Sequence, residues 1–107
     1  MSFVAWRLSQ KKKYKDKKPS EVPFYHLGHA YQWKNVDSKY HQKTPKVGDV
    51  ALFQQGAWGV GALGHVAMVA KVDGDTIYTE DYNAGHPSGQ YGTHSMSAST
   101  PTEYLRF

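Results

Sequence analysis

Two apolar runs joined by a short polar turn dominate the hydrophobic pattern of the chain. Residues 65–72 are rich in Val and other apolar side chains, and residues 76–82 are rich in Thr, Tyr and Ile. β-branched and aromatic residues favour strands, and the Asp-Gly pair at 73–74 favours a tight turn between them. The pattern therefore predicts a β-hairpin that closes at residues 73–75.

Earlier in the chain, apolar residues recur at helical spacing. In residues 3–10 they lie three or four positions apart, which predicts a helix. Residues 27–33 predict a second short helix with Ala30 and Trp33 facing the core. The polar residues that follow, as far as Gln42, carry no periodic signal.

Further strands are predicted on both sides of the hairpin. Turn residues at 45–49 precede the apolar run Val50–Phe53, which predicts a strand, and Tyr91–Ser97 predicts another. Residues 102–107 alternate polar and apolar side chains and predict a closing edge strand. Because helices come first and strands follow, the fold class is α+β, with N-terminal helices and an antiparallel β-sheet.

Composition fits one folded domain over residues 1–107, with 39% hydrophobic and 14% aromatic residues. The net charge is +4, and six of the 13 basic residues lie in 11–18, which predicts an exposed loop attractive to anionic polymers. Nucleic acid is not expected as a partner, because Tyr14 is the only aromatic residue in that run and stacking requires several. No run of residues is apolar enough to span a bilayer, and the first residues do not form a signal peptide.

Cysteine is absent from the chain, which excludes disulfides, zinc–thiolate sites and a Cys nucleophile within it. Six histidines are present, but their spacing does not supply the three or four ligands of a zinc site. We therefore expect no metal and no cofactor. Most of the histidines are predicted to lie on the surface: His26, His29, His41, His86 and His94.

His65 stands apart from these five because it opens the first strand of the hairpin. Asp81 and Asn83 share one face of the second strand, since side chains two apart in a strand point the same way. A hairpin closed at 73–75 brings that face opposite His65. An imidazole oriented by a carboxylate or amide is the base half of a nucleophilic site.

Several short motifs, in this order, resemble the CHAP domain family, the cysteine, histidine-dependent amidohydrolases/peptidases. They are Val4-Ala5-Trp6-Arg7, Ala30-x-x-Trp33, Pro45-Lys46-Val47-Gly48-Asp49-Val50-Ala51, Gly64-His65-Val66-Ala67-x-Val69 and Asp81-Tyr82-Asn83. The resemblance implies a compact papain-like α+β fold. It also implies an amidase or endopeptidase that cuts peptidoglycan, of the kind found in secreted bacterial wall hydrolases and phage lysins.

The resemblance assigns His65 as the general base. Asp81 takes the place of the family's usual Glu and Asn83 that of its Asn, while Glu80 is the alternative acid if the strand carries a bulge. The substrate groove would be lined by Trp58, Tyr82 and Tyr91. The implied partners are peptidoglycan or its stem peptides, with anionic wall polymers bound by the run from Lys11 to Lys18.

The family's nucleophilic Cys precedes the first helix, a position that falls just before Met1. We therefore expect a CHAP domain without its extreme N-terminal segment, inactive as this chain, because the hydroxyl of Ser2 does not replace a thiolate. The alternative is a non-catalytic wall-binding or protein-interaction module on a degenerate CHAP fold. The family implies that the full protein is secreted or associated with the cell wall.

Overall fold

The computed structural model describes residues 3–24, 27, 30–54, 64–82 and 91–107. Within these ranges one α-helix, α1 (Phe3–Ser9), precedes a six-stranded antiparallel sheet. The strands are β1 (His41–Gln42), β2 (Val50–Phe53), β3 (His65–Asp73), β4 (Thr76–Tyr82), β5 (Tyr91–Ser97) and β6 (Glu103–Leu105). The predicted α+β class, the first helix, the hairpin and the strands β2 and β5 are confirmed.

Three short 3₁₀ helices connect α1 to the sheet: Pro19–Glu21, Ala30–Asn35 and Ser38–Tyr40. The second helix predicted at 27–33 is, in its described part, the 3₁₀ helix Ala30–Asn35. A 3₁₀ helix has about three residues per turn and is used in short connections. It buries Trp33, whose ring packs against that of Phe107 with 6.1 Å between centroids.

The C-terminal strand β6 is not the sheet edge that the sequence predicted. The strand order is β1-β6-β2-β3-β4-β5, so β6 lies between β1 and β2. The strand that covers it is β1, which has only two residues and pairs His41 with Leu105 and Gln42 with Tyr104. A two-residue strand in a polar stretch has no periodicity, so no pattern along the chain predicts it.

The two faces of the sheet carry two apolar clusters, because successive strand residues point to opposite sides. On one face α1 packs its buried side chains against the sheet. This cluster contains Val4, Ala5, Leu8, Val50, Leu52 and Met68. On the other face the cluster contains Ala51, Phe53, Ala67, Val69, Ile77, Met96 and Tyr104. Since β2 contributes to both clusters, all four of its residues are buried.

An ion pair between the partly exposed Arg106 and the buried Asp49 fixes the turn that leads into β2. Arg106 donates from Nε to Oδ1 of Asp49 and from Nη2 to Oδ2, each at 2.8 Å, and Asp49 is 1% exposed. The backbone amide of Lys46 donates to the same carboxylate at 2.8 Å. The hydrogen bond to Asp49 raises the pKa of Arg106 above its ordinary value. The C-terminal end of the chain is thereby tied to the start of β2, the strand that runs toward His65.

Candidate active site

The β3–β4 hairpin brings His65 and Asp81 into direct contact. Asp73 pairs with Thr76 across a two-residue turn, and Gly74 has a φ of 59°, which the favoured hairpin turns require. At the open end of the hairpin, Nε2 of His65 lies 2.7 Å from Oδ2 of Asp81. A carboxylate accepts hydrogen bonds, so Nε2–H is the donor. That tautomer leaves Nδ1 of His65 as the nitrogen able to take a proton.

A β-bulge in β3 determines which acid meets His65. Val69 pairs with Thr79 and Lys71 with Tyr78, so Ala70 is the extra residue. Had the register near the turn continued unchanged, Val69 would lie opposite Glu80, on the face that holds His65. The bulge shifts the register by one, so Met68 pairs with Glu80 and the next acid shares the face of His65. A bulge is therefore present, but it lies in β3 and brings Asp81 to the imidazole, not Glu80, the acid expected with a bulge.

Asp81 is almost fully buried and has a second histidine beside it. Its exposed fraction is 1%, and Nε2 of His94 lies 3.7 Å from its Oδ1. The His65 side chain is 16% exposed, and its ring lies 5.9 Å from that of Phe53. A buried carboxylate cannot turn toward solvent, so it holds the His65 ring in a fixed orientation.

Two of the histidines predicted at the surface are partly buried instead. His94 belongs to β5, where it lies opposite Thr79 and reaches Asp81. His41 in β1 contacts Glu103, with 3.0 Å between Nδ1 and Oε1. Both placements depend on strand pairs that are distant in sequence, which spacing along the chain does not reveal. The other three, His26, His29 and His86, lie outside the described residues.

Glu80 points to the opposite face and joins three elements. Its Oε1 lies 2.6 Å from Nη2 of Arg7 in α1, and its Oε2 accepts a hydrogen bond of 2.7 Å from the Tyr91 hydroxyl in β5. The ring of Phe3 meets that of Tyr91 edge to face, 5.8 Å between centroids. These contacts place the beginning of α1 at the end of the sheet where His65 lies. No motif in the sequence indicated this Arg7–Glu80–Tyr91 cluster.

None of the other predicted site residues is shown in contact with His65. Tyr91 is 50% exposed and lies on the α1 face of the sheet, opposite the face that holds His65. Trp58, Asn83 and the side chain of Tyr82 lie outside the described residues. The assignment of these residues to a substrate groove stays a prediction.

Neither a metal centre nor a membrane helix is found in the described part of the chain. Across residues 3–24, 27, 30–54, 64–82 and 91–107, no group of three or more His, Cys, Asp or Glu side chains is arranged to hold a metal ion. Over the same ranges, no helix combines the length and apolar character that a bilayer crossing requires.

Comparison with known families agrees with the resemblance found in the sequence. A family model described as the CHAP domain matches residues 1–83. The matched range contains α1, β2, β3 and β4, and with them His65 and Asp81. No curated protein matches the chain significantly.

Proposed function

Because the chain belongs to the CHAP domain family, we propose that it supplies the histidine and carboxylate of a Cys-His peptidoglycan hydrolase. A CHAP domain is a peptidoglycan-hydrolase type of module. The observation that carries the proposal is the 2.7 Å hydrogen bond from Nε2 of His65 to the buried carboxylate of Asp81. A carboxylate in this position holds the imidazole in one orientation and one tautomer.

In the reaction that we propose, Nδ1 of His65 takes the proton from a Cys thiol. The thiolate attacks the carbonyl carbon of a peptidoglycan amide, and the C–N bond breaks as His65 returns its proton to the leaving nitrogen. Water, deprotonated by His65, then hydrolyses the thioester and restores the thiol. Asp81 stabilises the imidazolium that forms in each half of the reaction, and Asn83 is proposed as a second orienting group.

The start of α1 lies at the same end of the sheet as His65, although α1 packs on the opposite face. The contacts of Phe3 and Glu80 with Tyr91 hold the start of the helix at the His65 end of the sheet. In the family the Cys lies ahead of this helix, where the helix dipole stabilises the thiolate. This chain contains no cysteine, so we propose that it does not hydrolyse peptidoglycan by itself.

The test compares this chain with a version extended at its N-terminus by a short segment that ends in Cys. Both are incubated with purified cell walls, and released muropeptides are quantified. The proposal predicts release by the extended chain alone, and loss of release when His65→Ala is added. The Cys→Ser version of the same extension is the matched control.

Two results would contradict the proposal. One is release of muropeptides by the chain that has no cysteine. The other is no release by an extended chain whose circular dichroism and urea unfolding match those of the present chain. Mass spectrometry of the released fragments would identify which amide is cut.

A second candidate function is a wall-binding module without catalysis. The absence of cysteine from all 107 residues favours it, as does Asp81 in the place where the family usually has Glu. Retention on intact peptidoglycan in a sedimentation assay at low salt supports this candidate, and no retention contradicts it. With either candidate, we propose that the full-length protein is secreted or associated with the cell wall.

A further inference from the structure

The positive charge of the protein comes from one short region, residues 11–18, here called the basic segment. It contains six of the 13 basic residues and only one of the nine acidic residues, Asp16. The basic segment therefore carries a charge of +5, while the rest of the chain carries −1. Any attraction of this protein to a polyanion acts mainly through these eight residues.

The basic segment is folded against the core. The amides of Tyr14 and Lys15 both donate to the carbonyl of Lys11 at 2.9 Å, and the amide of Lys17 donates to that of Tyr14 at 3.0 Å. The Tyr14 ring meets the edge of the buried Phe24, 5.2 Å between centroids. A backbone fixed in this way loses less conformational entropy on binding than a flexible tail.

Five lysines of the basic segment are exposed: Lys12, Lys13, Lys15, Lys17 and Lys18. Lys11 differs from them, because its Nζ donates to the carbonyl of Phe107 at 3.3 Å. Burial lowers the pKa of Lys11, whereas Asp49 opposes that effect. Lys11 therefore anchors the basic segment to the C-terminal end of the chain, and the other five remain exposed for a partner.

The basic segment lies at the far end of the sheet from His65. Nζ of Lys11 lies beside Gly48 in the turn before β2, whereas Phe53 at the other end of β2 pairs with His65. At a rise of about 3.3 Å per residue, the intervening strand separates the two regions by roughly 13 Å. That separation exceeds the Debye length of about 8 Å at physiological ionic strength. Salt therefore screens much of the electrostatic influence of the basic segment on the candidate active site.

We propose that the basic segment is a docking site for a phosphodiester-linked polyanion of the cell wall. Ammonium groups are compact point charges that suit a repeating phosphate without bidentate geometry. The only aromatic ring of the basic segment, that of Tyr14, packs against Phe24 and has Nζ of Lys13 5.1 Å from its centroid. The basic segment itself therefore offers no free ring on which bases could stack, which favours a base-free polymer over nucleic acid. Only the cell-wall location of the polymer rests on the proposed function.

The test measures binding of this chain to poly(glycerol phosphate) and to a single-stranded DNA with the same number of phosphates. If five ammonium groups displace counterions, affinity falls about 100-fold between roughly 50 and 200 mM salt, by analogy with single-stranded nucleic acid. The variant K12Q/K15Q/K17Q removes three charges from the basic segment. The matched control K34Q/K39Q/K71Q removes three charges elsewhere and changes the net charge equally.

The proposal predicts that K12Q/K15Q/K17Q loses more than half of the salt dependence, whereas the control keeps both the affinity and the salt dependence of the parent. It is overturned if the parent does not bind the polymer, if both variants lose binding equally, or if DNA binds more tightly than poly(glycerol phosphate). Hydrolysis is measured separately with the Cys-extended chain. Polymer binding without hydrolysis contradicts only the proposed function, and hydrolysis without polymer binding contradicts only this inference.

Discussion

Glu80 and Asp81 are neighbours in the sequence, yet they hold partners on opposite faces of the sheet. Glu80 contacts Arg7 of α1 at 2.6 Å, whereas Asp81 accepts a hydrogen bond from His65 at 2.7 Å. The first acid attaches the helix to the sheet, and the second orients the imidazole. Substitutions at these two positions should therefore have separable effects.

Removing the Glu80 charge should weaken the attachment of α1. Arg7→Gln and Glu80→Gln, measured singly and together by urea unfolding, should give a coupling free energy of roughly 1 kcal/mol. The value is modest because the Arg7 side chain is 41% exposed and solvent screens the pair. Asp16→Asn, which removes an exposed acid, is the control and should change stability by less than about 0.5 kcal/mol. Purely additive single effects would show that the pair does not hold the helix.

Removing the Asp81 charge should instead affect catalysis. In the Cys-extended chain, Asp81→Asn keeps the size of the side chain but removes the charge that stabilises the His65 imidazolium. We expect muropeptide release to fall by roughly 100-fold, the lower end of what a positioned acid–base group contributes. Glu80→Gln in the same extended chain is the comparison and should lower the rate far less. Equal losses in the two variants would argue against Asp81 as the orienting acid.

The Asp49–Arg106 pair should dominate the stability of the C-terminal end. Arg106→Gln leaves the carboxylate of Asp49 buried without its bidentate partner, which costs about 2–4 kcal/mol after allowance for the partly exposed guanidinium. Arg106→Lys should recover only part of this loss, because an ammonium group cannot form two parallel hydrogen bonds. Urea unfolding of both variants beside Lys39→Gln provides the measurement. A loss no larger than that of Lys39→Gln would show that the pair is not structural.

Alkaline pH should destabilise the protein through Tyr104. Burial, with a smaller effect of Asp49, raises the pKa of this phenol from 10.0 to about 12. Because the folded-state pKa is the higher one, its stabilising contribution is complete below pH 10 and is lost as the pH rises toward 12. The stability difference between the parent and Tyr104→Phe should therefore shrink over that range. A difference that stays constant would contradict the raised pKa.

Much of the fold could be predicted because its strands and first helix are encoded locally. The apolar run Val50–Phe53 and the Asp-Gly turn each specify their structure within a few residues. β1 could not be predicted, since its two polar residues are a strand only because they pair with Leu105 and Tyr104. β6 is internal because β1 pairs with its outer edge, so a sequence that does not reveal β1 predicts β6 as an edge strand.

The candidate site could be predicted only where its residues lie on one locally encoded hairpin. His65 and Asp81 lie on one hairpin, so the predicted turn brings the two ends of its strands near each other, but the register set by the turn alone would place Glu80 on the face of His65. The bulge at Ala70 carries no sequence signal of its own, although it decides which acid reaches His65. His94 and the Arg7–Glu80 pair join elements distant in the chain, and such contacts arise only when the sheet and helix assemble.

The most direct test of the central claim is the tautomer of His65, measured by nitrogen-15 NMR of the histidine side chains at about pH 8, where an ordinary imidazole is neutral. We predict that Nε2 of His65 carries the proton and that Asp81→Ala, but not Glu80→Gln, perturbs the shift of that nitrogen. A proton on Nδ1, or an Nε2 chemical shift that does not change in Asp81→Ala, would contradict the account. Either result would show that Asp81 does not orient His65 as the base of a Cys-His hydrolase.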